Sequence, residues 1–126
     1  MPSGLVNIGL TKEAREICDA IEDNLSLHGI EEVRDLAVVH AIRKKLDPTE
    51  ETDGQKITVW NVGSLDSDLL NLIEVLYPEA CGEKDKTYLF RNLLHLGLLD
   101  LGQNPDFGSW TQLSDLPGFS DLLPSS

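Results

Sequence analysis

The side chains that could do chemistry in this chain of 126 residues are few and scattered. Of the three histidines, His28 sits in a Ser-Leu-His-Gly break, and His40 and His95 each stand in the middle of an apolar run. Two imidazoles in such places either meet and bind a metal or are buried groups satisfied by their own hydrogen bonds. The second reading is favoured, and a zinc site of Cys81 with His95 is disfavoured because no close ligand pair such as C-x-x-C accompanies them. Glu31-Glu32 and Glu50-Glu51 read as solvated charge rather than acid–base pairs, and no phosphate-binding glycine loop occurs. One arrangement does recur: an asparagine two places before a glycine, at Asn7-Ile8-Gly9 and Asn61-Val62-Gly63. A carboxamide donates and accepts at once, so the pair could be a reading motif; the alternative is that Asn and Gly shape a strand-to-helix turn. Neither a catalytic constellation nor a cofactor or metal is implied, and the chain reads as a non-enzyme.

The two tripeptides belong to a longer repeat. When Leu10-Thr11 is set against Leu65-Asp66, Ala14, Ile17, Cys18 and Ile21 fall at the same distances past the start as Leu69, Leu72, Ile73 and Leu76. That spacing marks one face of a helix, not a strand. Thr11 and Asp66 are both good N-cap residues. Further on, Arg34-Asp35-Leu36 matches Arg91-Asn92-Leu93. The chain therefore reads as β-α-α, a linker, and β-α-α again: one domain over residues 1–102, with halves at about 5–46 and 57–102, linker 47–56, and an irregular tail at 103–126.

Residues 5–10 alternate, with Val6, Ile8 and Leu10 on one face and Leu5, Asn7 and Gly9 on the other. A strand this short must pair, and residues 57–63 are the obvious partner. Trp60 and Val62 should point inward opposite Val6 and Ile8, with Ser64, the one inserted residue, as a bulge. Helices are predicted over about 11–25 and 30–46. The second has a middle apolar nearly all round and ends in Arg43-Lys44-Lys45, where the helix dipole favours cations. A third should run over about 66–77 until Pro78 stops it, with a turn at 79–84. A fourth should run over about 85–101, with Gly102 as its C-cap. The predicted class is mainly α with a short two-stranded antiparallel ribbon. In the tail, Phe107, Trp110 and Phe119 alternate with acids, as in a partner-binding segment or a strap over the domain's own apolar surface.

The formal charge is −12, spread along the chain as about −2 over residues 1–46, −3 over 47–56, −4 over 57–101 and −3 over 102–126. A field of that sign repels phosphate. No run approaches the roughly 20 apolar residues of a membrane helix, and Met1-Pro2-Ser3-Gly4 lacks the charged and apolar regions of a secretory signal. Cys18 and Cys81 form no disulfide framework, and the whole suits a reducing cytoplasm.

One short strand followed by two helices, the second buried, resembles the ribbon-helix-helix fold of Arc/MetJ-type repressors. In that family two chains each donate a strand to an antiparallel ribbon. Here both halves lie in one chain, so residues 5–102 look like a fused pseudo-dimer. The resemblance implies that outward ribbon residues enter the major groove and read bases. Those positions are Leu5, Asn7 and Gly9, then Val59, Asn61 and Gly63, of which Asn7 and Asn61 could read adenine. The family's usual ribbon arginine or lysine is missing from both halves. The resemblance also places phosphate contacts at the start of each second helix, where Lys84, Lys86 and Thr87 are the candidates and Glu31 and Glu32 would repel. The leading expectation is a small regulatory protein acting on an unknown protein partner. DNA binding through Asn7, Gly9, Asn61, Gly63, Lys84, Lys86 and Thr87 is the alternative. The oligomeric state is a monomeric pseudo-dimer or a homo-oligomer.

Overall fold

The computed structural model describes residues 4–25 and 29–104. The break around His28 and the tail with Phe107, Trp110 and Phe119 lie outside the described residues. Within them, β1 (Asn7–Leu10), α1 (Lys12–Leu25) and α2 (Ile30–Arg43) are followed by β2 (Ile57–Asn61), a single 3-10 turn (Val62–Ser64), α3 (Ser67–Leu76), α4 (Pro78–Glu83) and α5 (Lys86–Gly102). The fold is mainly α, with β1 and β2 paired as an antiparallel ribbon and each strand followed by helices.

The expected caps form. Thr11 Oγ1 accepts from Ala14 N at 3.2 Å and opens α1, and Asp66 Oδ1 accepts from Asp68 N at 2.9 Å and opens α3. Each gives an acceptor to one of the orphan donors of a helix start, a contribution of about 1 kcal/mol.

The ribbon pairs Asn7 with Asn61 and Ile8 with Trp60, then Gly9 with Thr58 and Leu10 with Ile57. The slip leaves Val59 as the extra residue, so the bulge lies inside β2 rather than at Ser64. Gly9 suits that slip, since a Cβ there would stand 3.1 Å from the Ile57 carbonyl oxygen. Ile8, Leu10 and Trp60 bury their side chains against the helices, whereas Val6, expected inward, is 72% exposed. Val6 lies before the regular pairing begins, although its carbonyl still accepts from Val62 N at 2.9 Å. Alternation identifies a face but not where the helix layer beneath it ends.

Three helix ends also differ from the periodic reading. The α2 helix stops at Arg43, and Lys45 then takes a positive φ of 57°. Pro78 does end α3, but it also opens α4: a proline at the first helical position loses no bond, so the expected turn is a six-residue helix. Gly102 is the last residue of α5, and Gln103 is the cap.

The core is one cluster in which α2 and α5 are the buried centre. Val33, Ala37, Val38 and Ala41 of α2 face Leu89, Phe90, Leu93, Leu94 and Leu98 of α5, with α1 and the ribbon closing over them. The two helices cross almost backbone to backbone at Gly97, where an added Cβ would fall 2.0 Å from the Ala37 carbonyl oxygen. Alanine normally gains about 1 kcal/mol over glycine inside a helix. Here overpacking dominates, because both colliding parties are backbone and neither has a rotamer with which to escape. Gly97→Ala should therefore lower stability by about 2 kcal/mol or more, read as a fall in the urea midpoint at unchanged slope.

Candidate functional site

The outward face of the ribbon carries the asparagines side by side. Asn7 and Asn61 are cross-strand partners, and both are exposed. Asn61 is already committed in part: its Oδ1 accepts from Gly63 N at 2.7 Å and caps the 3-10 turn, while Ser64 Oγ donates to the Asn61 carbonyl at 2.7 Å. Turn shaping therefore accounts for Asn61 and Gly63 together. The side chain of Asn7 makes no hydrogen bond among the described residues. Gly9 lies close over Ile57 and Lys56, which accounts for its missing side chain sterically.

The start of α5 is a tightly bonded corner. Asp85 Oδ1 accepts from Thr87 N at 2.9 Å and from the Thr87 hydroxyl at 2.7 Å, and these bonds hold its carboxyl below the usual range. The Thr87 hydroxyl in turn accepts from Leu5 N at 2.8 Å, so this buried group ties Leu5, two residues before β1, to α5. The two neighbouring lysines are each opposed by a carboxylate: Lys84 by Glu51 at 3.4 Å, and Lys86 by Glu74. A phosphate arriving at this corner would have to compete with both.

Two arginines at equivalent places in the repeat have roles that spacing alone could not reveal. Arg34 is only 3% exposed and stacks on the Trp60 ring at 5.3 Å, with Nε bonded to Asp35 Oδ1 at 2.8 Å. Arg91 stacks on Tyr88 at 5.3 Å, and its Nη2 donates to Glu51 Oε1 at 2.9 Å. Beside it, Asn92 Nδ2 donates to the Pro48 carbonyl at 2.9 Å and pins the linker to α5. The recurring Arg34 and Arg91 in matched segments was the available signal, but it marked the repeat rather than burial.

His40 and His95 serve separately. His40 Nε2 donates to Asp100 Oδ2 at 2.6 Å and links α2 to α5. His95 Nδ1 donates to the Arg91 carbonyl at 3.1 Å, and its Nε2 accepts from Thr11 N at 3.2 Å. Both ring nitrogens are thus used only in the neutral form. Burial pushes His95 down to about 4. Burial also pushes the Cys18 thiol up to about 12, which makes it an inert core group. Among the described residues no three His, Cys, Asp or Glu side chains cluster as a metal site, and no helix is long and apolar enough to cross a membrane.

No family model, curated protein or solved structure matches this chain. The chemistry of the site therefore has to be read from the geometry. That geometry shows polar groups holding elements together, with Asn7 the main unspent hydrogen-bonding side chain on the ribbon.

Two measurements follow from this arrangement. The His95 site binds a proton less readily folded than unfolded, so stability is full above the unfolded value near 6.5 and falls as pH drops toward 4. Between pH 7 and 5 this amounts to about 2 kcal/mol. In His95→Gln, urea unfolding at the two pH values should show that difference largely removed, from a lower starting stability. Thr87→Val should cost about 1–2 kcal/mol and speed amide exchange at Leu5, whose N–H loses its acceptor.

Proposed function

We propose that this chain is a non-enzymatic binding protein of a reducing, cytoplasmic compartment that acts by docking another protein, on a tandem ribbon-helix-helix-like core. The observation that carries this reading is a contrast on the surface. At the corner where phosphate contacts would be needed, the cations are opposed by carboxylates. Apolar side chains, in contrast, stand uncovered on α3, where Leu72, Val75 and Leu76 are 41%, 75% and 46% exposed. Water-exposed apolar groups gathered on one element are a mark of protein contact rather than of nucleic-acid contact. The ribbon-helix-helix likeness is supported by the antiparallel pairing of two strands from separate halves and by a buried helix closing each half, α2 in the first and α5, after the short α4, in the second. One chain supplies both strands, so no second copy is needed to complete the ribbon. Two unpaired thiols fit a reducing compartment.

A DNA-reading role draws on a different observation, the paired Asn7 and Asn61 on the exposed ribbon face. Two carboxamides without an accompanying cation give base contact but no phosphate anchorage, and phosphate contacts normally supply much of the affinity. A titration of the purified chain against labelled duplex DNA separates the two readings. It should show no saturable anisotropy change even at about 20 mM salt. Saturable binding that weakens steeply with salt would replace protein docking with DNA reading.

A further inference from the structure

The helix α3 carries more apolar surface than its own domain uses. Its buried residues are Leu69 and Ile73, and Leu72, Val75 and Leu76 extend the same side outward. At 100° per residue the five span an arc of about 160°, of which only the edge at Leu69 and Ile73 is covered. A hollow of about 430 Å³ adjoins this stripe, bounded by Leu76, Tyr77, Pro78, Ala80 and Pro48.

The other half of the chain shows what belongs on such a stripe. In α1 the positions matching Leu72, Val75 and Leu76 are Ile17, Ala20 and Ile21, of which Ile17 and Ala20 are half-buried and Ile21 is 2% exposed. The last turn of α5 covers Ile17: a Cβ on Gly102 would lie 2.6 Å from Ile17 Cδ1, and Leu98 and Leu101 of the same helix end are buried. The corresponding turn of α2 does not exist. That helix ends at Arg43, and the residues matching Leu98, Leu101 and Gly102 are Ala41, Lys44 and Lys45. Accordingly α1 packs against both α2 and α5, whereas α3 packs on α5 and has no comparable contact with α2. The open position is thus the counterpart of one occupied by an apolar helical turn.

Charge selects among possible occupants. Asp47, Asp68 and Glu79 border this face and form no salt bridge among the described residues, whereas Glu74 is held by Lys86 and Glu51 by Lys84 and Arg91. The chain's own tail would bring Asp106, Asp115 and Asp121 and no cation, and a second copy would set acid against acid. We infer that the uncovered α3 face, Leu72, Val75 and Leu76 with the hollow beside Tyr77, receives a basic amphipathic helix from a protein partner. This rests on the docking role proposed above and names its surface. The partner helix lays an apolar stripe across α3, as α5 does across α1, and its cations meet the rim formed by Asp68, Glu79 and Asp47.

The test uses the isotopically labelled full chain and a synthetic helical peptide with leucines at i, i+3, i+4 and i+7 and lysines elsewhere. A sister peptide with glutamate in place of lysine is the second probe. Amide shifts should concentrate at Leu72, Val75, Leu76 and Ala80 and weaken with salt, and the glutamate peptide should bind about tenfold or more weaker. The double variant Leu72→Gln, Val75→Gln should lose about tenfold or more of the affinity while its remaining amide spectrum stays that of the folded chain. Shifts centred on the ribbon, equal binding of both peptides, unchanged affinity in the variant or no binding at all would each overturn the assignment. So would concentration-dependent self-association through the α3 amides. Peptide bound at another face would remove only this surface and leave protein docking standing, which the DNA titration alone would remove.

Discussion

The closeness of α2 and α5 at Gly97 sets the positions of nearly everything else in this protein. Side chains normally hold packed helices about 8–10 Å apart. Where an added methyl group would run into a carbonyl, the two helices meet with their backbones, and large residues must flank the crossing instead. Leu93, Leu94 and Leu98 do so on one side, and Val33 and Val38 on the other. With the centre that thin, the ribbon can reach inward. Ile8 and Trp60, a cross-strand pair too short to be stable in water, find a floor to pack on.

Around that centre the polar groups act mostly as fasteners. His95 joins the start of α1 to α5, Thr87 joins Leu5 to the start of α5, and Asn92 joins the linker to the same helix. Each supplies an acceptor or donor that a backbone group leaving a strand or helix would otherwise lack. Arg34 is the least settled of them. Its stack on Trp60 and its bond to Asp35 offset part of its desolvation, yet Nη1 and the Trp60 Nε1 are both buried without a partner among the described residues. Buried donors of that kind cost about 1–3 kcal/mol each when unmet, so this corner is the weakest polar point of the core.

Much of this was legible beforehand because it is periodic. The stripe Ala14, Cys18, Ile21 could only be a helix face, and Thr11 and Asp66 could only be useful as caps. Pairing of the two short strands followed from the need of each for a partner, and its antiparallel sense from the ribbon-helix-helix resemblance. What stayed hidden depends on contacts between distant residues. Nothing near Lys86 in sequence marks Glu74 as its partner, and nothing near Arg91 or Lys84 marks Glu51. The exposure of Val6 and the bulge at Val59 depend on where the helical floor ends, and alternation carries no such information. Pro78 was readable as a stop and equally consistent with a start; only the following Glu79-Ala80-Cys81 shows which applies, and it shows both.

The helices that close the two strand-led segments, α2 and α5, differ in length and in their last residues. In a symmetric dimer any shortening of the second helix would occur twice and uncover both first helices. Within a single polypeptide the halves can diverge. The second half keeps Leu98 and Leu101 and seals α1, whereas the first half has Ala41 and Lys44 at the matching places and leaves α3 open. The sealed side retains enough packing to hold the ribbon and the central crossing. An apolar stripe on the open side costs the free chain solvation but adds little strain, since Leu72 and Val75 lie outside the core they would otherwise have to fit.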